Sequence, residues 1–296
     1  MTNIKLEDLE INNYMIYQDK DSFNFGIDAV LLANFALREY FGSTGSQCLV
    51  TTNVNSDYEL QVLKSSKNSK ASLLICDFCT GSLPIPLIMY AKRHMLDSVG
   101  AKHCEPSLKI DAFEIDSDQV MLCNKSITWN KGNLEDAKNI DSDINVICDD
   151  IKNIFIDREK YKYMYESYDL ITCNPPYNKK GSGIVNLNDK KQIARHEISI
   201  TFDDICKAAR LLLKSNKKFY LIHHSERIAE IVMTLKSNSF EVKKLQFIHP
   251  NLSSSSTLVL IEAVKNASSG LKVLEPIIVF EKDGSYTEKI QKIYGK

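Results

Sequence analysis

The chain has 296 residues, 44% of them hydrophobic and 25% charged, with a formal net charge of −1. This length can bury one large α/β core or two small ones, and the composition is ordinary for a globular enzyme. The amino-terminal residues mix charges where a signal peptide needs an apolar run, and no later stretch is apolar for long enough to span a bilayer. These features predict a cytoplasmic protein and disfavour membrane-spanning classes.

Cysteine usage argues against a disulfide scaffold or a metal site. Three of the eight cysteines, Cys76, Cys148 and Cys173, sit in apolar, strand-like runs, where a free thiol behaves as a small hydrophobe. The one Cys-x-x-Cys pair, Cys76 and Cys79, has no second pair at zinc-site spacing, and a redox role would need a thiol at a helix N-terminus. We therefore predict no metal.

Short β-branched runs alternate with helical stretches over most of the chain. Apolar strands separated by helices predict right-handed crossovers in a parallel sheet buried on both faces. The connection at 250–256 is too short for a crossover, so the last two strands should pair antiparallel. The expected fold class is α/β, a doubly wound, Rossmann-like sheet, mostly parallel with an antiparallel C-terminal β-hairpin. The predicted strands are 72–76, 110–114, 145–148, 168–173, 217–223, 240–249 and 257–264, and the predicted helices are 27–41, 85–94, 117–130, 202–213 and 226–237.

A single domain over 1–296, with decorated loops, is the simplest organisation. The stretch 43–71 is rich in Ser, Asn, Thr and Lys and lacks a period, which predicts a disordered insertion. Shorter polar stretches predict loop insertions at 97–109, 131–144 and 155–167.

The first predicted strand runs into a turn that suits a ligand. Asp77 ends the strand, and Gly81 lies in the turn before the next helix. In an open α/β sheet, ligands bind beyond the carboxyl ends of the strands, and a glycine there lets the backbone approach them closely. Strand–Gly–helix turns are common, so this signal is weak alone.

Acidic residues also end the next two strands. Glu114 can accept hydrogen bonds from a ribose diol, whereas Asp116 suits the N-cap of the following helix. Asp149 and Asp150 end the third strand, where a carboxylate can accept from an adenine amino group or form a simple turn. Acids at three successive strand ends are more informative than any one of them.

The fourth strand ends in Asn174, Pro175, Pro176 and Tyr177. Two successive prolines stiffen the backbone, which suits a site that must hold a weak nucleophile in line. The Asn174 amide oxygen and the Pro175 carbonyl can both accept hydrogen bonds from one exocyclic amino group, and Tyr177 can stack on a planar, flipped-out substrate. A structural turn is the alternative interpretation.

A basic segment follows this tetrad. Residues 179–218 contain ten lysines and arginines against four acidic residues. Alone this pattern is typical of a solvated face, but beside the tetrad it suggests contacts with phosphates.

The tetrad, together with 77–82 and 113–116, resembles class I S-adenosylmethionine-dependent N-methyltransferases of the NPPY type. Further segments resemble bacterial tRNA(Val) adenine-N6-methyltransferases, from about residue 14 to the C-terminus; they are 17–18, 23–33, 77–81, 85–87, 194–198, 226–227, 249–250 and 283–287.

The resemblance implies N6-methylation of an adenine beside the anticodon of a tRNA, on a Rossmann-like methyltransferase sheet. It implies S-adenosylmethionine as cofactor and direct transfer to the amino nitrogen. Asn174, Pro175, Pro176 and Tyr177 would be catalytic. The cofactor-binding residues would be Gln18, Phe25, Asp28, Asp77, Gly81, Glu114, Asp149 and Asp150, with Asp149 a weaker candidate than Asp150, and the substrate-binding residues Lys179, Lys180, Arg195 and His196.

Two alternatives stay open. The same chemistry could serve a protein glutamine, an rRNA or a DNA. The chain also has Leu83-Pro84 where the family usually carries further glycine, which motivates a catalytically silent methyltransferase fold that binds RNA or a partner.

Overall fold

The computed structural model describes residues 3–20, 25–43, 72–93, 107–175 and 200–296, and all structural statements refer to these ranges. Residues 44–71 of the predicted insertion lie outside them, as do 97–106 of the next one.

A nine-stranded sheet forms the centre of the described structure. The path runs β10-β8-β9-β7-β6-β3-β4-β5, and β11 also pairs with β8. Strands β3 to β7 are parallel, whereas β9 runs antiparallel to both β7 and β8, which confirms the predicted fold class. The strands are β3 (Ser72–Phe78), β4 (Ser107–Glu114), β5 (Ile144–Cys148), β6 (Tyr168–Cys173), β7 (Leu213–His224), β8 (Phe240–His249), β9 (Leu258–Lys265), β10 (Lys272–Val273) and β11 (Ile277–Ile278).

Helices cover both faces of this sheet. One face packs against α1 (Ile27–Ser43), α2 (Pro84–Ala91) and α9 (Glu288–Tyr294), and the other against α7 (Phe202–Leu212) and α8 (Ile228–Ser237). Strand β6 is buried along its whole length, as expected for a strand between two helical layers. The position of β6 determines where the strand order reverses. The chain places β4 and β5 on one side of β3 and then crosses back to place β6 on the other side.

Two of the predicted loop insertions contain short helices. In 131–144, α3 (Ser117–Asn133) ends late, a single 3₁₀ turn follows, and α4 (Ile140–Asp143) leads directly into β5. In 155–167, α5 (Asn153–Ile156) and α6 (Arg158–Tyr161) precede another 3₁₀ turn. These polar segments also contain a few buried side chains that pack against the core, among them Ile140, Ile154 and Tyr161. Residues 107–109, assigned to an insertion, belong to β4.

The sequence analysis did not predict the N-terminal hairpin or the C-terminal elements. Strands β1 (Ile4–Asp8) and β2 (Met15–Asp19) pair antiparallel beside α3. The Asn130 amide clamps the hairpin there, donating to the Met15 carbonyl (2.7 Å) and accepting from the Met15 N–H (2.9 Å). Strand β7 also begins four residues before its predicted start, because the polar residues Lys214 to Asn216 look like a turn. No helix within the described ranges has the length and hydropathy of a membrane span.

Candidate active site

The candidate site lies at the carboxyl edge of the sheet, where the strand order reverses beside β3. Phe78 pairs with Cys173, so Asp77 near the end of β3 and Asn174 just after β6 occupy neighbouring strand ends. Glu114 ends β4 on the other side of β3. Crevices of this kind bind ligands in open α/β sheets.

Asp77 is fully buried and incompletely paired. One carboxylate oxygen accepts a hydrogen bond from the Thr172 hydroxyl at 2.5 Å, while Oδ2 has no hydrogen-bond partner among the described residues. Burial raises the pKa of the Asp77 carboxyl to about 7, and the hydroxyls of Thr172 and of the nearby Thr80 oppose this shift only in part. Since buried polar groups in folded proteins are normally paired, the open oxygen indicates a place for a donor group from a ligand.

The turn after β3 holds three residues with left-handed backbone. They are Cys79 (φ 56°), Gly81 (φ 55°) and Leu83 (φ 81°). Gly81 takes this conformation without cost, and a Cβ added to it would meet nothing within 4 Å, so the turn borders open space. Leu83, fully buried, is held in the strained conformation by packing. The Thr80 hydroxyl is a second buried polar atom without a partner among the described residues.

The two acids at the end of β4, Glu114 and Asp116, have separate roles, as the sequence indicated. Glu114 accepts from the Gly81 N–H at 2.8 Å and from the Asp116 N–H at 3.0 Å, which ties the turn to β4. Asp116 is the N-cap of α3, accepting from the Asp118 N–H at 2.8 Å. The predicted cap is confirmed.

Asp149 is occupied within the chain. Its carboxylate accepts hydrogen bonds from Asn153, Lys160 and Tyr161. Burial acts to raise the pKa of Asp149, but these hydrogen bonds outweigh it and lower the pKa to about 2. Asp150 forms an ion pair with Lys152 at 3.2 Å and caps the turn that follows. Asp149 therefore stabilises the chain segment that follows β5, and Asp150 is the better candidate for a contact with a ligand.

Gln18 and Phe25 close the other side of the turn. In its fully hydrogen-bonded orientation, the Gln18 side-chain oxygen accepts from the Phe25 N–H (2.9 Å) and the Ser82 hydroxyl (3.1 Å), while its nitrogen donates to Glu7 (2.8 Å). The N-terminal hairpin is thereby fixed to the turn after β3.

Asn174 contacts Asp28, which is also one of the predicted cofactor-binding residues of the N-terminal segment. Its Nδ2 donates to Asp28 Oδ2 at 2.9 Å, across 146 residues of sequence. Pro175 is buried beside it. Pro176 and Tyr177 lie outside the described residues, as do Lys179, Lys180, Arg195 and His196.

The described end of the basic segment lies away from this site. Lys214 and Lys217 form ion pairs of 3.0 and 3.1 Å with Asp169, at the amino end of β6, opposite the end that carries Asn174. Strand β6 is six residues long, so the two ends are roughly 20 Å apart. Lys218 pairs with Glu262 at 3.2 Å. Within the segment 179–218, for which the sequence suggests phosphate contacts, these three lysines are thus paired with acidic residues near the amino end of β6, away from Asn174.

Two of the cysteines near the site, Cys76 and Cys173, are fully buried. Burial raises the pKa of the Cys76 and Cys173 thiols well above the ordinary value, which disfavours a nucleophilic thiolate. Within the ranges that the structure describes, no cluster of His, Cys, Asp or Glu has the arrangement of a metal site.

Sequence reasoning missed Thr172, Thr80 and Ser82, whose hydroxyls face the residues that it had found. A signal for Thr172 was present, since a polar residue within an otherwise buried strand needs a polar partner. Only the tertiary structure identifies that partner as Asp77.

No protein-family profile matches the chain. In sequence it is 28% identical over 124 residues to a tRNA1(Val) (adenine(37)-N6)-methyltransferase of Aliivibrio salmonicida (strain LFI1238), a segment that is 42% of this chain and 51% of that protein. The chain thus spans about half the length of the curated relative that it matches.

Two solved structures share the fold. A predicted O-methyltransferase from Agrobacterium tumefaciens aligns with a TM-score of 0.58 and 18% identity, covering 90% of this chain and 95% of that one. A proposed methyltransferase solved with SAH aligns with a TM-score of 0.50 and 10% identity, and the alignment covers 88% of this chain and 56% of that one. The chain therefore has the Rossmann-like fold of these methyltransferase structures, and its similarity to the tRNA1(Val) adenine-N6-methyltransferase confirms the family resemblance found in its motifs.

Proposed function

We propose that this protein is an S-adenosylmethionine-dependent N-methyltransferase that methylates adenine N6 in a tRNA. One observation carries the proposal: an asparagine amide and a buried, incompletely paired carboxylate occupy neighbouring strand ends at the switch point of a methyltransferase-like sheet. The carboxylate suits a cationic ligand, and the amide suits an acceptor that carries N–H groups.

The residues around the turn after β3 fit the methyl donor. Asp77 Oδ2 and the Thr80 hydroxyl offer hydrogen-bonding atoms to its amino-acid moiety, and the open side of Gly81 leaves room for close approach. Glu114 lies where a ribose diol can donate to a carboxylate. When bound, S-adenosylmethionine supplies an electrophilic methyl group on a positively charged sulfonium.

In this reaction, the protein has to orient a weak nucleophile, the amino nitrogen of the acceptor. The Asn174 oxygen and the Pro175 carbonyl accept hydrogen bonds from the amino group, which directs the nitrogen lone pair and stabilises the positive charge that develops on it. The extra proton leaves to water after transfer. No covalent bond to the enzyme and no metal enters this scheme.

The choice of tRNA adenine is supported by the matched relative and by the motifs outside the described residues. We infer that Tyr177 stacks on the flipped base and that Lys179, Lys180, Arg195 and His196 contact the nucleotides around it. Protein glutamine, rRNA and DNA share the amide or amino chemistry and are the alternative acceptors.

Transfer of labelled methyl groups to total unmodified tRNA, followed by digestion and nucleoside mass spectrometry, tests the proposal. We expect N6-methyladenosine with the wild type and none with Asn174→Ala. Asn145→Ala is the matched control, because Asn145 is another asparagine whose amide donates to a carboxylate, Asp111 at 2.7 Å, and it lies away from the site.

Equal labelling by wild type and Asn174→Ala would contradict the role of the tetrad. Measurable donor binding without any RNA product would instead reject the tRNA acceptor, and the same assay with peptide glutamine, rRNA and DNA would then follow. Absence of donor binding by calorimetry would favour the catalytically silent alternative.

A further inference from the structure

Asp28 is held in one orientation at the start of α1. It is the second residue of the helix and is only 8% exposed. Its Oδ1 accepts from the Ala29 backbone N–H at 3.0 Å, and its Oδ2 accepts from Asn174 Nδ2 at 2.9 Å. The two carboxylate oxygens therefore have different and fixed partners.

The segment that leads into α1 is built around this carboxylate. A Cβ at Gly26 would lie 2.8 Å from Asp28 Oδ1, so only glycine leaves the carboxylate in place. The preceding residue, Phe25, is held through its N–H by Gln18. The hairpin, the glycine and the first turn of the helix together fix the position of Asp28.

The contact determines which way the Asn174 amide faces. A carboxylate only accepts hydrogen bonds, and an amide donates only through its nitrogen. Nδ2 must therefore point at Asp28, and Oδ1 must point to the opposite side of the planar amide. With the amide turned over, two oxygens would face each other at about 2.9 Å, which is a repulsive arrangement.

We propose that Asp28 is a positioning residue that locks Asn174 with its oxygen toward the acceptor and thereby restricts the reaction to acceptors that carry N–H groups. This inference rests on the proposed function. An amino or amide nitrogen donates to the Asn174 oxygen, whereas a phenolate or carboxylate oxygen would be repelled by it. Asp28, which the sequence analysis placed in the donor pocket, thus acts on the acceptor side through Asn174.

Replacement of Asp28 by asparagine has a defined effect on this lock. The Ala29 N–H lies 3.0 Å from Asp28 Oδ1 and 3.2 Å from the Gly26 carbonyl oxygen. An amide nitrogen turned toward this N–H would face another donor, so we expect the new amide to turn its nitrogen toward Asn174 instead. Two amide nitrogens cannot donate to each other, and Asn174 therefore turns over and presents Nδ2 to the acceptor. The Asp28→Asn variant keeps the size of the side chain and the hydrogen bond from the Ala29 N–H. It replaces the hydrogen-bond acceptor that Asn174 presents to the substrate by a donor.

We expect Asp28→Asn to lower kcat about 100-fold, in the range found for loss of one oriented group at a reacting centre, with the KM for S-adenosylmethionine within about twofold. The double variant Asp28→Asn with Asn174→Asp restores a donor–acceptor pair and should exceed either single variant in kcat.

Asp111→Asn is the control, since Asp111 also accepts from an asparagine amide but lies mid-strand in β4. A kcat for Asp28→Asn within threefold of wild type, or a double variant no better than both singles, would overturn the proposal.

A second readout does not depend on turnover. Side-chain amide signals of asparagine-labelled protein can be assigned to Asn174 by their loss in Asn174→Ala. We expect one Asn174 Nδ2 proton to exchange slowly with solvent in wild type and to lose that protection in Asp28→Asn. Identical Asn174 signals and exchange in both proteins would reject the lock even if no acceptor were found. Conversely, methylation of adenine by an unimpaired Asp28→Asn variant would reject the lock and leave the proposed function standing.

Discussion

Two buried carboxylates in this protein differ in how far they are paired. Glu262 in β9 is 2% exposed, and it accepts from the Tyr220 hydroxyl at 2.8 Å and lies 3.2 Å from Lys218 and 3.5 Å from Lys244. Asp77 is fully buried and keeps one oxygen without a partner among the described residues.

Burial by itself therefore does not mark a functional carboxylate. Glu262 belongs to a satisfied network, whose partners are lost only at a large cost in stability. Asp77 Oδ2 has no hydrogen-bond partner among the described residues, and a ligand that donates to it gains the free energy of that hydrogen bond. Four changes test this comparison.

The largest expected effect is on stability, at the paired carboxylate. Glu262→Ala should lower the free energy of unfolding by about 3 to 5 kcal/mol, because it removes the acceptor of the buried Tyr220 hydroxyl and one carboxylate partner of the half-buried Lys218. Urea denaturation followed by circular dichroism measures this. Glu288→Ala, which removes an ion pair with Lys292 that is exposed to solvent, should lower the free energy of unfolding far less. Similar losses for the two variants would remove the distinction drawn for Glu262.

Asp77, the incompletely paired carboxylate, should show the opposite profile. Asp77→Asn should leave the free energy of unfolding within about 1 kcal/mol of wild type or raise it, since a neutral amide is cheaper to bury than a carboxylate. Affinity for S-adenosylmethionine should fall about 10- to 100-fold, the equivalent of one charged hydrogen bond. Calorimetry measures both donor affinity and, by scanning, stability. A variant that unfolds readily and yet binds the donor normally would make Asp77 a structural residue like Glu262.

The strained turn beside Asp77 should also depend on packing. Leu83→Gly relieves a left-handed backbone worth about 1 to 2 kcal/mol but loses a buried side chain worth about 2 to 5 kcal/mol. We expect net destabilisation of about 1 to 3 kcal/mol in urea. The matched variant Cys79→Gly removes a similar strain at a half-buried side chain and should be neutral or stabilising. If Leu83→Gly stabilised the protein, packing would not be what holds the turn.

The smallest effect is the pH dependence. The pKa of Asp77 is about 7 in the folded protein and near 3.8 when unfolded, so its contribution to stability is complete below about pH 4 and is lost as the pH rises to 7. A cationic donor favours the ionised form, and its affinity should therefore rise with pH, being about tenfold lower at pH 6 than its plateau above pH 8. Calorimetry in two buffers with different ionisation heats counts the proton released. The same pH dependence in Asp77→Asn would assign it to another group.

Local pattern was sufficient for seven of the nine strands of the described sheet and for the strand ends that carry chemistry. The mostly apolar strand β6 is buried on both faces, and a polar residue that follows such a strand lies at the edge of the sheet. Asp77, Glu114 and Asn174 could therefore be picked out by their spacing. The short helices of 131–164 were missed because one or two anchors per turn are too few to form a period.

The partners of those residues were decided by the tertiary structure alone. Asp28 and Asn174 are 146 residues apart, Asp77 and Thr172 are 95 apart, and Gln18 and Ser82 are 64 apart. A sequence states which groups can donate or accept, but a hydrogen bond needs its two atoms about 3 Å apart, and the packing of distant elements sets that distance. The sequence therefore determined which residues could form the site, and the fold decided which way Asn174 faces and which carboxylate is left open.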